Sequence, residues 1–317
     1  MSLTAKCLSC YKQLEDEQDY HPKCCKAFFG QRQPPDLPYA LDELEELAEK
    51  IVKSSITVPG VQEKLSLHLE ESEEAAGKLT LVGLWGDYIL KPPVRKYPEM
   101  PEVEDLTMRL ASLWNIKTVP HCLMRLKSGE LAYITRRIDR DGAQKVSHME
   151  DMCQLTERLT EQKSRSSMEK IGKAINQFSS HPLFDIITFF DTTLFCFITG
   201  NADMHLKNFS LCYRNRDLVQ LSPAYDLVST RLLISEKDDP EELALTLNGK
   251  KSKLKRHDFD MFAQSIGLND KQTANAYARA ASSIAGSISF IDQSFVSDEK
   301  KWQLKELVNN RVERLCL

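Results

Sequence analysis

An α+β fold in two lobes, a small sheet-rich one and then a larger helical one, follows from three observations. Alternating Leu65, Leu67 and Leu69 begin a set of strand-like runs that continues with Leu79 to Leu84, Tyr88 to Lys91 and Leu131 to Ile138. Beyond about residue 140 the periodicity turns helical, through Asp151 to Leu159, Met168 to Phe178, Pro182 to Ile198 and three patterns after residue 256. Ahead of both, four of the nine cysteines crowd into the first 25 residues. The expected boundaries are 1–35 for a Cys-rich segment, 36–140 for the sheet-rich lobe and 141–317 for the helical lobe.

Taken in order, the Cys-rich segment ends near Gly30, and Pro34-Pro35-Asp36-Leu37-Pro38 reads as a linker. Leu44, Leu47, Ala48 and Ile51 recur at helical spacing, and the small and turn-forming residues from Ser54 to Gly60 break that pattern. Gly86-Asp87 is a turn between two strands. Val103, Leu106, Leu110 and Leu113 with Trp114 form one helical stripe, and the strand ending at Ile138 carries the charged tail Arg136-Arg137-Ile138-Asp139-Arg140. In the last helix Leu304, Val308, Val312 and Leu315 align toward the large lobe.

A chain of 317 residues that is 42% hydrophobic can bury ample core without disulfides. Its net charge of −4 and pI near 6.0 argue against a broad nucleic-acid footprint, which needs a basic surface excess. The apolar run from Leu183 to Ile198 is interrupted by Asp185 and Asp191 and falls short of the roughly 20 residues of a membrane span. It reads as a buried core helix. With no basic-then-apolar leader, a cytoplasmic setting and no membrane partner are expected. The scattered Cys122, Cys153, Cys196, Cys212 and Cys316 read as small core residues of a reducing compartment.

The chemistry concentrates in Gly200-Asn201-Ala202-Asp203-Met204-His205-Leu206-Lys207-Asn208 and Ser222-Pro223-Ala224-Tyr225-Asp226. An Asp five residues before an Asn, with a second Asp after a short hairpin, is how kinase-type folds position an acceptor hydroxyl and hold magnesium against nucleotide phosphates. Asp203 alone would serve equally as a capping or turn residue. In company with Asn208 and Asp226 it reads as the residue that orients the attacking hydroxyl and accepts its proton, while Asn208 and Asp226 ligate Mg²⁺. His205 and Lys207 lie between them, within reach of phosphate or substrate, although a lone His is more often structural and a Lys more often a solvated surface charge. Lys91 closes a strand and Glu104 lies on the following helix, the order in which kinases pair a phosphate-binding Lys with a helix carboxylate. Ser54-Ser55-Ile56-Thr57-Val58-Pro59-Gly60-Val61-Gln62-Glu63-Lys64 occupies the place of a Gly-rich phosphate loop but holds a single glycine. Its backbone amides can cradle phosphate, and it reads equally as a plain turn of small residues.

Cys7-x-x-Cys10 followed by His21-x-x-Cys24 has the spacing of a tetrahedral structural Zn²⁺ site, with Cys25 as a competing ligand and reduced, metal-free thiols as the alternative.

Gly60-Val61-Gln62-Glu63-Lys64, Ile89-Leu90-Lys91-Pro92, Ile134 to Arg140, Glu150-Asp151 with Gln154, Asn201 to Asn208 and Pro223-Ala224-Tyr225-Asp226, in this order from about residue 50 to about 260, resemble the HipA family of bacterial toxin kinases. The resemblance implies a two-lobed protein-kinase-like fold, ATP and Mg²⁺ in the cleft, and a serine/threonine-protein kinase. It implies that Pro59 to Lys64 with Lys91 and Glu104 serve the ATP phosphates and that Thr135, Arg136, Arg137 and Ile138 form the hinge near adenine. It makes Asp203 catalytic, Asn208 and Asp226 the Mg²⁺ ligands, and His205, Lys207 and Tyr225 part of the nucleotide site. Members of the family phosphorylate protein targets, aminoacyl-tRNA synthetases among them, and stall translation. They also autophosphorylate before the Gly-Val-Gln segment. Thr57 stands where long members have serine, with Ser54 and Ser55 as further candidates. The chain is short for a long HipA and is most similar to HipT, the short kinase of three-gene toxin–antitoxin systems. That likeness implies a HipB-like DNA-binding antitoxin, a HipS-like small partner, and contact with DNA only through the antitoxin. A small-molecule kinase, suggested by the Asp-x-His-x-x-Asn order, and a nucleotide-binding co-repressor are the competing readings.

Overall fold

A computed structural model describes residues 6–15, 18–54, 64–70, 76–82, 86–141, 144, 145, 147–214 and 218–317. The chain forms two compact units, residues 1–105 with 119–145 and residues 106–118 with 146–317. Mixed helix and sheet, with a Cys-rich start, is what the sequence led us to expect.

The first unit is built on a five-stranded antiparallel sheet of β1 (Leu65–Glu70), β2 (Lys78–Leu81), β3 (Tyr88–Lys91), β4 (His121–Arg125) and β5 (Leu131–Arg136), in the order β2-β1-β3-β5-β4. The leucines at 65, 67 and 69 all turn inward, as strand alternation requires. In β5 every residue from Ala132 to Thr135 is buried, which marks a strand covered on both faces. Strand β4 gave no separate signal in the sequence. Its pairing with β5, Leu123 opposite Tyr133 and Met124 opposite Ala132, supplies the long-range order that local pattern lacks.

Both edges of this sheet are covered. The segment expected to be a linker lies along β2: Asp36 N donates to Gly77 O, Leu79 N donates to Asp36 O, and Leu37 is buried. The flanking prolines lack an N–H, so the pairing runs through Asp36, which offers both a donor and an acceptor. At the other edge Leu123 N donates to Leu8 O. Unpaired strand edges invite association, and here the N-terminal segment occupies them. That segment continues into helix α1 (Pro22–Phe29), whose Phe28 and Phe29 rings pack on Tyr88 of β3. Helix α2 (Leu41–Ser54) runs further than the sequence suggested and takes in Ser54, whose side chain, with Ser55, Thr57, Pro59, Gly60, Val61, Gln62 and Glu63, lies outside the described residues.

Helix α3 (Met100–Leu113) belongs to the first unit up to Asp105 and to the second from Leu106. Its second half is tied there by Ser229 N donating to Thr107 Oγ1, by Trp114 Nε1 donating to Ser287 Oγ, and by Ala224 N donating to Lys117 O. The first unit runs to Lys145, past the boundary expected at residue 140, because a short hairpin of β6 (Arg140–Asp141) and β7 (Gln144–Lys145) extends it.

In the second unit α5 (Met168–Phe178), α6 (Pro182–Thr199), α7 (Arg256–Ser265), α8 (Asp270–Ile291) and α9 (Asp298–Arg314) match the expected helices. The expected helix from Asp151 to Leu159 shrinks to α4 (Met152–Leu155), because residues 148–151 pair instead as a strand. That strand, β8 (His148–Asp151), joins the hairpin of β9 (Ser210–Arg214) and β10 (Leu218–Leu221) in a three-stranded sheet. Among the described residues α6 is the one helix long and apolar enough to cross a membrane, and 61% of that stretch is buried within the protein. Its phenylalanines 189, 190, 195 and 197 are fully enclosed, and Thr192, Thr193 and Thr199 satisfy their hydroxyls on carbonyls one turn back, each at 2.8 Å.

Candidate active site

Helix α6 ends because Gly200 takes the left-handed conformation, φ 73°, and closes the last turn with its N–H. A side chain there would also meet Leu307 Cδ2 at 2.5 Å and Arg231 Cβ at 2.8 Å. The chain then leaves the core. Asn201, buried, bonds its N–H to Cys196 O and accepts Asp203 N on Oδ1 at 3.1 Å, while Ala202 N donates to Thr230 Oγ1 at 2.9 Å. These bonds hold the backbone leading into Asp203, whose side chain is 65% exposed. A carboxylate so placed stays in contact with water and incoming acceptors while its backbone is fixed.

Asn208 is buried, and its Nδ2 donates to Asp203 O at 2.9 Å. Because a carbonyl only accepts, this bond assigns the amide nitrogen to Asp203 and leaves Oδ1 as the end that can ligate. His205, also buried, brings Nε2 within 4.0 Å of Asp203 Oδ1. Lys207 Nζ lies 3.5 Å from Asp151 Oδ2, and Asp151 caps α4 in a reciprocal box with Gln154. Tyr225 OH reaches Ser210 Oγ at 2.5 Å and donates to Lys207 O at 3.0 Å. Burial raises the Tyr225 phenol far above its ordinary value, so it stays a donor. It fastens the segment preceding Asp226 onto the loop that carries Asp203 and Asn208. Asp226 itself has φ 60°, a conformation unusual for a residue with a side chain and one that recurs at functional sites. Asn208 further lines a cavity of about 200 Å³ shared with Asp185, Thr192 and Met204.

In the first unit Lys91 Nζ stands 2.5 Å from Glu104 Oε1, both side chains almost wholly buried, and 5.3 Å from the centroid of the Tyr133 ring. The pair anticipated from the order of strand and helix is therefore formed. Thr135 donates its hydroxyl to Pro120 O at 2.9 Å, and Arg137 grips Asp139 through two bonds of 3.0 and 2.7 Å. Arg136, last in β5, and Lys64, just before β1, are exposed, and Ile138 is half-buried. Cys7, Cys10, His21 and Cys24 converge, with their ligand atoms all within 4.8 Å of one another.

Sequence reasoning missed Tyr133 and Thr230, which brace Lys91 and the Asp203 loop, and it quoted Asp151 without its contact to Lys207. Each lies remote in sequence from the residue it supports, and no spacing rule connects them.

As for chemistry, a hard cation such as Mg²⁺ takes oxygen ligands, and the Asn208 amide oxygen with the Asp226 carboxylate is a donor set of that kind. The residues present fit the ion.

A family profile described as the HipA-like C-terminal domain matches residues 56–288. The "Putative kinase Y4mE" of Sinorhizobium fredii is 30% identical over 224 residues, which is 67% of this chain and 51% of that protein. A "Putative kinase" of Haemophilus influenzae is 27% identical over 259 residues, 74% of either chain. Among solved structures, HipA of Shewanella oneidensis, captured with HipB and operator DNA, superposes with a TM-score of 0.66 at 22% identity, over 82% of this chain and 65% of that one. The proinflammatory kinase CtkA of Helicobacter pylori superposes at 0.54 and 18% identity, over 75% of this chain and 90% of that one. The chain spans about half the length of the Sinorhizobium relative.

Proposed function

Because the chain belongs to the HipA-like C-terminal domain family, we propose that it is an ATP- and Mg²⁺-dependent serine/threonine-protein kinase acting as the toxin of a toxin–antitoxin system. What supports this above all is the loop in which Asn208 Nδ2 holds Asp203 O, so that an exposed carboxylate and an amide oxygen able to ligate stand side by side.

In this reading Asp203 takes the acceptor hydroxyl in a hydrogen bond, aims it at the terminal phosphate and receives its proton as the new P–O bond forms, while the bond from the terminal phosphorus to the bridging oxygen breaks and ADP leaves with that electron pair. Asn208 Oδ1 and Asp226 would hold Mg²⁺, and the ion would supply positive charge against the phosphate oxygens. Lys91, fixed by Glu104, supplies a point charge to the phosphates, and Lys207 can leave Asp151 to meet charge that builds on the transferring group. By family likeness Thr135 to Ile138 would serve the adenine and Pro59 to Lys64 the phosphates. Tyr225 acts by position, through its bonds to Ser210 and Lys207.

The acceptor is a protein, an aminoacyl-tRNA synthetase by family likeness, and its modification stalls translation. Self-modification at Ser54, Ser55 or Thr57 adds about −1.5 to −2 units of charge beside the ATP phosphates, enough to repel nucleotide and limit the enzyme. A HipB-like antitoxin fits the complex seen for the Shewanella relative, with a HipS-like partner as in HipT systems.

Phosphoproteomics of cells expressing the intact chain or Asp203→Asn tests the reading. It expects one dominant target site and one site among residues 54 to 57, both absent with the variant. Label from ATP accumulating in metabolites, or phosphosites indifferent to Asp203→Asn, would refute it.

A further inference from the structure

Phosphoryl transfer uses none of Cys7, Cys10, His21 and Cys24, yet the fold gathers them. Cys7 and Cys10 sit on a tight hairpin: Lys6 pairs with Gln13, Tyr11 N donates to Cys7 O at 2.9 Å, and Cys7 N donates to Lys12 O at 2.9 Å. The turn obliges Tyr11 to adopt φ 64° immediately after Cys10. His21 and Cys24 come from the start of α1, where His21 is the cap residue and Cys24 the third helical position. The neighbouring Cys25 is rotated about 100° around the helix and buried in the core, and it stands outside the group of four whose ligand atoms lie within 4.8 Å of one another.

The details are those of a ligand set. His21 Nε2 lies 3.0 Å from Gln13 O, and since a carbonyl only accepts, Nε2 carries the proton. Nδ1 then turns its lone pair toward the sulfurs, 3.3 Å from Cys10 Sγ and 3.9 Å from Cys24 Sγ. A metal-bound histidine is held in this way by a carbonyl behind it. His21 N donates to Cys7 Sγ at 3.4 Å, a bond that favours a thiolate. Bonds of about 2.3 Å to sulfur and about 2.0 Å to nitrogen in a tetrahedron set S···N separations of about 3.5 Å. The two observed separations bracket that value. Cys7, Cys10 and Cys24 are all free thiols.

We propose that Cys7 Sγ, Cys10 Sγ, His21 Nδ1 and Cys24 Sγ bind one Zn²⁺ in a closed, structural site that rivets the N-terminal segment to the sheet of the first unit. Three thiolates and an imidazole favour zinc over hard cations, and four protein ligands leave no open position for catalysis. Binding releases the three thiol protons to solvent. Cys7, Cys10 and His21 each adjoin a residue that grips the sheet or its core. Leu8, after Cys7, accepts Leu123 N; Tyr11, after Cys10, donates to Asp105 Oδ2 at 2.6 Å. Tyr20, before His21, donates to Leu123 O at 2.6 Å. Asp105 also meets His121 Nδ1 at 3.2 Å and is the residue next to Glu104. The metal thus fixes the hairpin that braces the start of α3.

The test is metal analysis of the full chain purified under reducing conditions, with Co²⁺ exchange read by absorption. The expected result is about one zinc per chain and, after exchange, the thiolate charge-transfer and tetrahedral bands of bound cobalt. Cys25→Ser should keep the metal, Cys10→Ser should lose it, and a chelator should lower the melting temperature of both wild type and Cys25→Ser, with zinc restoring it. Absence of metal with no cobalt spectrum in the folded wild type would overturn the proposal, as would stoichiometric iron, a Cys7–Cys24 or Cys10–Cys24 disulfide, or loss of metal in Cys25→Ser. A melting temperature unmoved by removal of the zinc would overturn the rivet.

Discussion

At Lys91 an ammonium group lies within 2.5 Å of the Glu104 carboxylate with almost no access to water. Desolvation and attraction nearly offset in such a pair, so removing one partner costs far more than removing both. Glu104→Gln is expected to destabilise the protein by about 3–5 kcal/mol, and Lys91→Met by a similar amount, whereas the double variant Lys91→Met with Glu104→Leu should recover most of that loss in urea unfolding. The double variant should still bind no ATP. Lys207 presents the opposite case, for its bond to Asp151 is 3.5 Å long and 39% of the lysine side chain is exposed. Lys207→Ala should change stability by less than about 1 kcal/mol, yet lower kcat about 10²-fold if, as proposed, its charge meets the transferring phosphoryl group. Equal loss of stability and rate would make Lys207 a structural residue.

Among the elements, α6 sets the position of the Asp203 loop, and Gly200 is where helix becomes loop. Its φ of 73° and the 2.5 Å approach of Leu307 Cδ2 leave no room for a methyl group. Gly200→Ala should therefore destabilise the second unit by about 1–3 kcal/mol and reduce transfer, measured by thermal melting beside activity. The element boundaries also show what a sequence carries. Strands β1 and β3, with Lys91 at the end of β3, follow from alternation and a turn, and α6 from its apolar run. By contrast, β4 and β8 exist because β5 and β9 pair with them, and a mixed run such as His148 to Asp151 says nothing of its partner. The same holds for the proline-rich segment: Asp36 becomes a strand partner through Gly77 and Leu79, which local composition cannot announce.

For the molecule as a whole, the motif of Asp203, Asn208 and Asp226 was legible because the chemistry demands fixed residue types at short spacing. Thr230 was not, nor were the contacts that Asp151 and Tyr225, both quoted in the motifs, make with Lys207, since a contact closed across 18 or more positions has no local signature. The cysteine and histidine spacing was visible, but the Gln13 carbonyl behind His21 and the link from Tyr11 to Asp105 emerge only in three dimensions. Family membership then joins the motif to the fold, and the proposed activity is to be tested on the residues themselves. Transfer of labelled terminal phosphate from ATP, with Mg²⁺ and a cell extract as acceptor, compares the intact chain with Asp203→Asn under identical conditions. Protein labelling by the intact chain should fall about 10²–10⁴-fold in the variant while ATP binding is retained; equal labelling by the two proteins would contradict phosphoryl transfer through Asp203.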